Sequence, residues 1–457
     1  MLPRALAVLR ALGVGPATPG GPRLAIVPGK RVAHPRVTQS FPSAVRTMNR
    51  FQPGNAVRLL RSGAEYFPAL MEAVKAAQAE VWIETYIFAD DPAGRAVAGS
   101  LVDAARRGVT VRVLVDGWGA KHYLTPSLER YLVEGSVRLL RYRPEVAPWQ
   151  FRSHRLRRLH RKIVHVDGRV GFVGGINLID DMNTPGHRPP RVDFAVRVEG
   201  PAVAGIVHAT ARVWALCELV QFRTREAALF PEPRPVPRAG GQTAKFTIRD
   251  NLSHRRDIER AYLAAVRTAK REILIACAYF FPGIRFRRAL IGAAARGVQV
   301  TLLLQHRVEY RLLHYASRAL YGQLLAGGVA IEEYHRSFLH AKVAVVDERW
   351  ATVGSSNIDP YSLLMSREAN LFVRDAGFAG ELRLELMQMV QTGARRVGPQ
   401  HWAARSPLVK GLCWLAYGCV RVAMGMLGYG GNEWWRGRRH HRQSFGETIT
   451  RITRGRK

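Results

Sequence analysis

The strongest constraint on the fold is a set of polar residues that occurs twice in the chain, 180 positions apart. The first copy consists of His160, Lys162, Asp167, Gly174 and Asn177, and the second of His340, Lys342, Asp347, Gly354 and Asn357. In both copies these residues lie in a pattern typical of two strands joined by a turn. Five identities at one offset indicate an internal duplication. We therefore expect two similar halves related by a pseudo-twofold axis, with an active site between them.

The elements predicted around each motif recur in the same order. Helices at 65–78 and 94–107 alternate with strands at 81–88 and 109–115; the matching elements are helices at 256–270 and 285–296 and strands at 272–280 and 298–304. Arg107-Gly108-Val109 and Arg296-Gly297-Val298 occupy equivalent helix-to-strand turns, 189 residues apart. This alternation predicts an α/β fold of two duplicated domains, each a mixed, mostly parallel sheet flanked by helices.

Composition suggests where the domains begin and end. Residues 1–53 are basic and rich in Pro and Gly, and they contain no Asp or Glu, so we expect a disordered arm. The first domain is predicted at 54–228 and the second at 246–398, separated by a Pro/Gly-rich linker at 229–245. Residues 399–457 are predicted to form an apolar, aromatic membrane-association segment with a basic tail.

The motif spacing suggests phosphodiester chemistry. A His and a Lys two positions apart on a strand face the same side, and the next strand returns an Asn towards them. Two such sets could surround a phosphodiester, with the ammonium and amide groups stabilising its oxygens while one imidazole attacks and the other transfers protons. The predicted catalytic residues are His160, Lys162, Asp167, His340, Lys342 and Asp347, and the predicted phosphate-binding residues are Asn177, Ser355 and Asn357. Within this set, Asp167 and Asp347 are expected to brace turns.

Each imidazole also needs a carboxylate to orient it. Asp193 follows His160 by 33 residues and Glu368 follows His340 by 28, each at the start of a predicted strand. We therefore expect each carboxylate to orient the histidine of its own half.

No cofactor or metal is expected, because no His, Cys or carboxylate group in the sequence has the spacing of a tetrahedral site. The four cysteines have neither metal-ligand spacing nor the density of a disulfide framework, which suits a reducing compartment. The net charge of +34 favours a polyanionic partner, either nucleic acid or an anionic membrane surface.

Two segments are candidates for lipid contact. Arginines crowd the approach to the first motif (Arg152, Arg155, Arg157, Arg158 and Arg161), where anionic headgroups could gather; the alternative is a solvated basic loop. The apolar segment 408–429 is interrupted by Lys410 and Arg421 and is followed by Trp434 and Trp435. It is typical of a helix lying in the membrane interface, although a core helix is also compatible with it. No stretch of 18 apolar residues is free of charge.

From about residue 55 to 395 the chain resembles the phospholipase D superfamily, and within it the bacterial cardiolipin synthases of the B type. Beyond the two motifs, the resemblance rests on the strings Ala278-Tyr-Phe-Phe-Pro-Gly283, Trp350-Ala-Thr-Val-Gly-Ser-Ser-Asn-Ile-Asp-Pro360 and Asp193-Phe-Ala-Val-Arg-Val-Glu-Gly-Pro201. It implies a peripheral enzyme of the bacterial inner membrane that condenses two phosphatidylglycerol molecules through a phosphohistidine, without metal or nucleotide. Gly175 departs from the second motif, which has Ser355, so we expect one phosphate-binding hydroxyl to be missing on that side.

Two other functions remain compatible with these features. A nuclease or hydrolytic phosphodiesterase of the same superfamily would suit the positive charge. A catalytically inactive membrane-binding scaffold would suit the apolar C-terminal segment. The resemblance favours anionic phospholipid as the partner and makes nucleic acid unexpected.

Overall fold

The computed structural model describes residues 50–143, 157–220, 236–250, 254–306, 311–359 and 366–424. The strands are β1 (Gln52–Arg61), β2 (Glu80–Thr85), β3 (Thr110–Asp116), β4 (Arg138–Tyr142), β5 (Arg158–Leu159), β6 (Lys162–Val166), β7 (Val170–Gly174), β8 (Arg191–Val192), β9 (Phe194–Glu199), β10 (Gln242–Arg249), β11 (Glu272–Cys277), β12 (Gln299–Gln305), β13 (Ala330–Tyr334), β14 (Phe338–Leu339), β15 (Lys342–Val346), β16 (Trp350–Gly354), β17 (Ser366–Arg374) and β18 (Ala394–Arg396). The helices are α1 (Ser62–Ala76), α2 (Pro92–Arg106), α3 (Pro126–Glu134), α4 (Val203–Val220), α5 (Asp257–Thr268), α6 (Ile284–Ala295), α7 (Arg311–Arg318), α8 (Tyr321–Ala326), α9 (Ala376–Gly393), α10 (Pro399–Ala403) and α11 (Pro407–Met424).

The order of strands in the main sheet displays the duplication. Outwards from the centre, one half runs β1-β9-β7-β6-β2-β3-β4 and the other runs β10-β17-β16-β15-β11-β12-β13, with β18 at its edge. The equivalent strands β1 and β10 pair antiparallel where the halves meet. Two copies of one strand order joined in this way are related by a pseudo-twofold axis, so the predicted duplicated α/β fold is confirmed.

The sheet is mixed, but the expectation that it would be mostly parallel is wrong. Among the described strands, parallel pairing is confined to β2-β3-β4 and β11-β12-β13, whose connections contain helices, and to the short pairs β5–β17 and β8–β14. The hairpins β6–β7 and β15–β16 are antiparallel, as are the pairs that link them to their neighbours. A turn of three residues is too short for a parallel crossover, which needs a dozen residues or more.

Apolar side chains form a helix-covered core in each half and a third core shared between the halves. Val81 and Leu101 belong to the first outer core, and Ile273 and Leu290 to the second. The shared core brings together strands of both halves. Its members include Leu59, Val196, Val343 and Leu371. The described residues accordingly belong to one compact unit. Of the predicted linker, residues 229–235 lie outside the described residues, and β10 begins inside the predicted linker, at Gln242.

Two apolar helices, α4 and α11, are candidates for contact with a membrane. Of the described helices, only α4 is long and apolar enough to cross a membrane, but it contacts β6 and β10, and Ile206 and Trp214 are buried in the protein. These contacts are those of a core helix. α11 packs against α7, and its residues Leu408, Leu412 and Leu415 are exposed. Residues 1–49 and 425–457, which hold most of the predicted arm and the basic tail, lie outside the described residues.

Candidate active site

Each motif histidine follows a two-residue strand that pairs with the opposite half. His160 lies between β5 and β6, and its backbone N–H donates to the carbonyl oxygen of Arg367 in the second half at 3.0 Å. His340 lies between β14 and β15, and its N–H donates to the carbonyl oxygen of Val192 in the first half at 2.8 Å. The backbone of each half therefore positions the histidine of the other.

The orienting carboxylates cross between the halves in the same way. Nδ1 of His160 lies 3.0 Å from Oε1 of Glu368, and Nδ1 of His340 lies 2.6 Å from Oδ2 of Asp193. The predicted residues are thus in contact with histidines, but the expected pairing within each half is wrong. A carboxylate bound to Nδ1 sets the orientation of the ring and leaves Nε2 available for a substrate.

The two motif lysines are buried beside the histidines. Nζ of Lys162 donates to the carbonyl oxygen of His160 at 2.7 Å, and Nζ of Lys342 lies 2.8 Å from Nδ1 of His340 and 3.6 Å from Oδ2 of Asp193. Burial lowers the pKa of Lys162 to about 7, although Glu368 acts in the opposite direction. Burial also lowers the pKa of Lys342. Because an anion would reverse this effect, the two lysines favour a negatively charged ligand.

The electrostatics of the site keep both imidazoles neutral and both carboxylates ionised. Burial and then Lys162 lower the pKa of His160, while burial and then Lys342 lower that of His340. Burial alone would raise the pKa of both carboxyl groups. Lys342 and His340 nevertheless hold the pKa of Asp193 below its usual range, and His160 and Arg249 do the same for Glu368. The arrangement can present two neutral nitrogens to one phosphorus.

Asp167 and Asp347 lie at the opposite ends of β6 and β15 from the histidines, on the order of 20 Å away at the usual rise per strand residue. Asp167 accepts backbone N–H groups of residues 78–80, each at 2.8 Å. Asp347 accepts those of residues 270–272 at 2.8 to 3.0 Å. Placing these residues in the catalytic set is therefore wrong; they brace the hairpin turns, as the alternative expectation had it.

Ser355 is not available to a phosphate in this arrangement. It is fully buried, and its hydroxyl donates to Oε2 of Glu368 while accepting the N–H of Ala369 at 3.1 Å. A Cβ on Gly175, the equivalent residue, would lie 2.3 Å from Oδ1 of Asp193. The Gly175/Ser355 difference therefore follows from the two carboxylates, and the interpretation as a missing phosphate-binding hydroxyl is wrong.

The two motif asparagines are buried near the ends of β7 and β16. Oδ1 of Asn177 accepts the N–H of Ile87 at 3.2 Å. Oδ1 of Asn357 is buried without a hydrogen-bond partner. Asn357 borders a small cavity together with Arg249 and Ser356. The amide oxygen of Asn177 is thus occupied, whereas that of Asn357 is not.

Sequence reasoning missed a matched pair of residues that hold the chain just before each histidine. Oδ2 of Asp116, at the end of β3, accepts the N–H of Leu159 at 2.7 Å. Oε1 of Gln305, at the end of β12, accepts the N–H of Leu339 at 2.8 Å. The signal was present, because each polar residue ends an apolar strand and the two are 189 positions apart, as are the repeated turns.

Two further residues extend the site beyond its motifs. The ring of Tyr86 lies 4.8 Å from that of His160, edge to face, and 5.4 Å from Nζ of Lys162. Arg249 is buried with Nη2 at 3.7 Å from Oε1 of Glu368. Neither was identified from the sequence, because neither belongs to the repeated motif.

One group of side chains has the composition of a metal site. Among the described residues, His306, Glu333 and His335 bring their ligand atoms within 4.8 Å of one another. Sequence spacing did not predict this group, because it assembles from two strand ends. Nη2 of Arg318 lies 2.9 Å from Oε1 of Glu333 and 3.3 Å from Nδ1 of His306. A guanidinium already supplies the positive charge there, so the group does not suit a cation.

The arginines that precede the first motif lie in different environments. Arg161 is buried in an ion pair with Glu84 in the first half, so it cannot gather headgroups. Nη1 of Arg158 lies 3.8 Å from Oδ1 of Asp116. Arg152 and Arg155 lie outside the described residues.

Comparison with known proteins agrees with this arrangement. A family model described as "Cardiolipin synthase, PLD-like domain" matches residues 70–185 and 262–390, one segment in each half. Cardiolipin synthase B of Salmonella typhi is 39% identical over 356 residues, which is 76% of this chain and 83% of that protein. Cardiolipin synthase B of Escherichia coli K12 is 37% identical over the same shares.

Similarity to solved structures supports the fold. A phosphatidylserine synthase from Haemophilus influenzae superposes with a TM-score of 0.61 at 12% identity, covering 85% of this chain and 99% of that one. At that identity the likeness concerns the fold alone. Together, the duplicated fold, the crossed histidine–carboxylate pairs and the relatives place this chain in the cardiolipin synthase family of phospholipase D-like proteins.

Proposed function

We propose that this protein is a phosphatidyltransferase that converts two phosphatidylglycerol molecules into cardiolipin and glycerol. The observation that carries the proposal is the pair of imidazoles beside two buried lysines, each with Nδ1 bound to a carboxylate of the opposite half. The family relationship supports the choice of phospholipid over other phosphodiesters.

In the first step, Nε2 of His160 attacks the phosphorus of the donor lipid. An N–P bond forms and the bond from phosphorus to the glycerol headgroup breaks. The leaving oxygen takes a proton from His340, so glycerol departs and a phosphatidyl group remains on His160. The bound phosphodiester is negative and raises the pKa of His340, which lets that ring carry the proton. We assign the attack to His160 by analogy with the phospholipase D superfamily.

In the second step, a hydroxyl of a second phosphatidylglycerol attacks the same phosphorus. His340 accepts the proton of that hydroxyl, the new P–O bond forms and the N–P bond breaks, which releases cardiolipin and the neutral His160. Lys162 and Lys342 stabilise the charge on the non-bridging oxygens in both transition states. Asn177 and Asn357 can add donors to the same oxygens, a role in which Ser355 takes no part.

Transfer competes with hydrolysis, because water could also attack the phosphohistidine. Well-oriented groups reach effective molarities of roughly 10⁵ to 10⁸ M, which exceeds the concentration of water. One phosphodiester replaces another, so the reaction should be close to thermoneutral and added glycerol should reverse it.

The test is purified protein with phosphatidylglycerol vesicles and no nucleotide, followed by lipid mass spectrometry. Cardiolipin with stoichiometric glycerol is expected. His160→Ala and His340→Ala should each abolish turnover without unfolding the protein, whereas His122→Ala, an exposed histidine, should not. A phosphatidyl adduct trapped by rapid denaturation at mildly alkaline pH, where the N–P bond persists, should map to His160.

The same experiment separates the alternatives. Phosphatidic acid as the dominant product would indicate a hydrolytic phosphodiesterase, and cleavage of DNA with the lipid untouched would indicate a nuclease. No reaction with any phosphodiester would indicate a scaffold. Full activity in a chelator is expected, because the lysines supply the positive charge; complete loss restored by one divalent ion would contradict the proposed mechanism.

We further propose that the protein binds the bacterial inner membrane peripherally, with anionic phospholipid as its partner. The exposed leucines of α11 support this, because they form an apolar strip on a helix that also carries Lys410 and Arg421. Apolar contact combined with basic side chains is typical of binding to an anionic lipid surface.

A further inference from the structure

One aromatic ring distinguishes the two sides of the candidate active site. The ring of Tyr86, which follows β2, lies 4.8 Å from the ring of His160 with an interplanar angle of 61°. Nζ of Lys162 lies 5.4 Å from the centroid of the same ring. Tyr86 therefore contacts both the histidine and the lysine of the first motif, although no step of the proposed mechanism uses it.

The residue equivalent to Tyr86 in the second half is an alanine. β2 and β11 are equivalent strands of six residues, and the residues that follow them are Tyr86 and Ala278. The N–H of Ala278 donates to the carbonyl oxygen of Ala341, between His340 and Lys342, at 3.0 Å. Ala278 thus lies beside the second motif as Tyr86 lies beside the first, but its methyl group offers no π face.

The two motif lysines also differ in their partners. Nζ of Lys342 lies 2.8 Å from Nδ1 of His340 and 3.6 Å from Oδ2 of Asp193. In the described part of the chain Lys162 forms no ion pair, and its hydrogen bond goes to the carbonyl oxygen of His160 at 2.7 Å. An ammonium has three N–H donors. Lys162 therefore keeps donors for phosphate oxygens, and an aromatic ring stands where Lys342 has a carboxylate.

The surroundings of Lys162 make its charge sensitive to a neighbouring ring. Burial lowers the pKa of Lys162 to about 7, and Glu368 acts in the opposite direction. Lys342 adds to the lowering, while Asp193 and Asp116 oppose it. A π face within about 6 Å of an ammonium stabilises the charged form, and the effect is largest where water is excluded. The ring thus acts on a group whose charge is close to balance at neutral pH.

The ring of Tyr86 is itself held by the loop after β3. Gly119 lies so close that a Cβ there would be 2.5 Å from Cε2 of Tyr86. Oδ1 of Asp116 accepts the N–H of Gly119 at 2.9 Å, and Oδ2 accepts that of Leu159, which precedes His160. One carboxylate therefore fixes both the loop that packs on the ring and the strand that leads to the histidine.

We propose that Tyr86 is a positioning residue, whose ring keeps the ammonium of Lys162 charged and the imidazole of His160 aligned for attack on the donor phosphodiester. This inference rests on the proposed function. Glu368 holds His160 at Nδ1, and the edge-to-face contact with Tyr86 holds the ring at a second place. The aromatic contact thus lies on the histidine to which the attack is assigned.

Two substitutions of Tyr86 separate the ring from its hydroxyl. Tyr86→Leu keeps the site apolar but removes the π face, whereas Tyr86→Phe keeps the ring. The pH profile of kcat/KM reports ionisations of the free enzyme. Its alkaline limb should follow the loss of the Lys162 proton, with a midpoint near pH 7 in the wild type.

Removing the ring destabilises the ammonium, so the limb should move to lower pH in Tyr86→Leu. The expected shift is about 0.5–1.5 pH units, which lowers kcat/KM at pH 8 by roughly 3- to 30-fold. Tyr86→Phe should restore the wild-type midpoint. Tyr131→Leu removes an exposed tyrosine of α3 and is the matched control, with no expected change in rate or profile.

NMR of the lipid-free protein measures the same effect without turnover. The ¹³Cε signal of Lys162, assigned by its loss in Lys162→Met, should titrate at lower pH in Tyr86→Leu than in the wild type. The signal of Lys342 should shift less, because its partners are Asp193 and His340. The ¹⁵N ring signals of His160 should change and those of His340 should not.

The outcomes distinguish this inference from the proposed function. A wild type that makes no cardiolipin would refute the function, and the lysine titration would still decide the role of the ring. If the wild type makes cardiolipin but Tyr86→Leu leaves the alkaline limb and the lysine titration unchanged, the positioning role is refuted.

Two further results would also overturn the positioning role. A loss of activity by the same factor at every pH would indicate a structural effect of Tyr86→Leu, which thermal unfolding would reveal as lower stability. Tyr86→Phe as impaired as Tyr86→Leu would show that the hydroxyl acts and not the ring.

Discussion

At the scale of single residues, the two halves solve one positioning problem with different side chains. Asp116 and Gln305 occupy equivalent strand ends, and each accepts the N–H of the leucine that precedes a histidine. Since an amide oxygen performs this task in the second half, the negative charge of Asp116 is not required for it. The common element is an acceptor at a set position.

This reasoning predicts different results for two substitutions of Asp116. Asp116→Asn should keep most of kcat, because the amide oxygen can still accept from Leu159. Asp116→Ala should lower kcat at least tenfold and destabilise the fold by about 1–3 kcal/mol, the cost of an unsatisfied buried donor. Steady-state kinetics and thermal unfolding measure both effects. An asparagine variant as impaired as the alanine variant would show that the charge is needed.

The burial of His165 predicts that the free energy of unfolding falls as the solution is acidified. The side chain is buried, neither ring nitrogen has a hydrogen-bond partner, and burial followed by the charge of Arg112 lowers its pKa to about 3. Above pH 6.5 the ring is neutral in both the folded and the unfolded protein. As the pH falls from 6.5, the unfolded chain takes up a proton that the folded protein refuses, so stability is lost. Between pH 6.5 and 5 the loss should be about 2 kcal/mol.

Replacing His165 by Val, the residue at the equivalent position 345, should remove this loss. Urea unfolding at pH 7.5 and pH 5 measures it, with the exposed His122→Val as the control. The prediction fails if the free energy of unfolding of His165→Val declines with acidification as steeply as that of the wild type.

At the scale of elements, two short strands position the histidines, and the last described helix presents an exposed apolar face. β5 and β14 contain two residues each, yet each pairs with a strand of the opposite half and sets the backbone position of a histidine. α11 is anchored through the buried Cys413 and Ala416, which directs its opposite face outwards. That face is where a lipid surface can be reached.

We therefore expect α11 to contribute to membrane binding. Leu412 and Leu415 are 56% and 65% exposed, and replacing both by Gln removes apolar surface worth about 1.5–3 kcal/mol for each side chain on full burial. The double variant should bind phosphatidylglycerol vesicles at least tenfold more weakly in a cosedimentation assay. Val133→Gln changes a similarly exposed residue on α3 and is the control. Unchanged binding of the double variant would exclude the α11 face.

At the scale of the whole molecule, the candidate active site forms only where the halves meet. The carboxylate of each half contacts the histidine of the other, and strands of both halves share one apolar core. Neither half alone contains an oriented histidine. The pseudo-twofold axis thus joins two incomplete sites into a single centre.

The crossed contacts predict which ring each substitution disturbs. Glu368→Gln should perturb the ring signals of His160 and leave those of His340 unchanged, and Asp193→Asn should do the reverse. ¹⁵N-detected NMR of labelled histidines measures this directly. Each variant should lose about 10²- to 10⁴-fold in kcat, in line with the loss of a correctly oriented acid–base group. Perturbation of the histidine in the same half would contradict the crossed arrangement.

The sequence by itself determined the duplication, the α/β class and the two histidines, two lysines and two carboxylates that the structure brings together. The reason is that a repeat at a constant offset is visible in one dimension, and side-chain alternation along a strand links His to Lys locally. Asp193 and Glu368 were also found, because each begins an apolar strand. These features depend on neighbours close in the chain.

The tertiary structure decided which groups meet. From sequence distance, Asp193 and Glu368 were each expected to contact the histidine of their own half. The pairing of β5 with β17 and of β14 with β8 instead places each histidine beside the carboxylate of the opposite half. The buried hydroxyl of Ser355 donates to Glu368, so it is not available to a phosphate. Asp167 and Asp347 lie at the ends of their strands that are far from the histidines. The hydrogen bond from Arg367 to the hydroxyl of Tyr142 joins residues more than 200 positions apart. Contacts of this kind depend on how the two halves of the chain pack, which no local pattern of residues encodes.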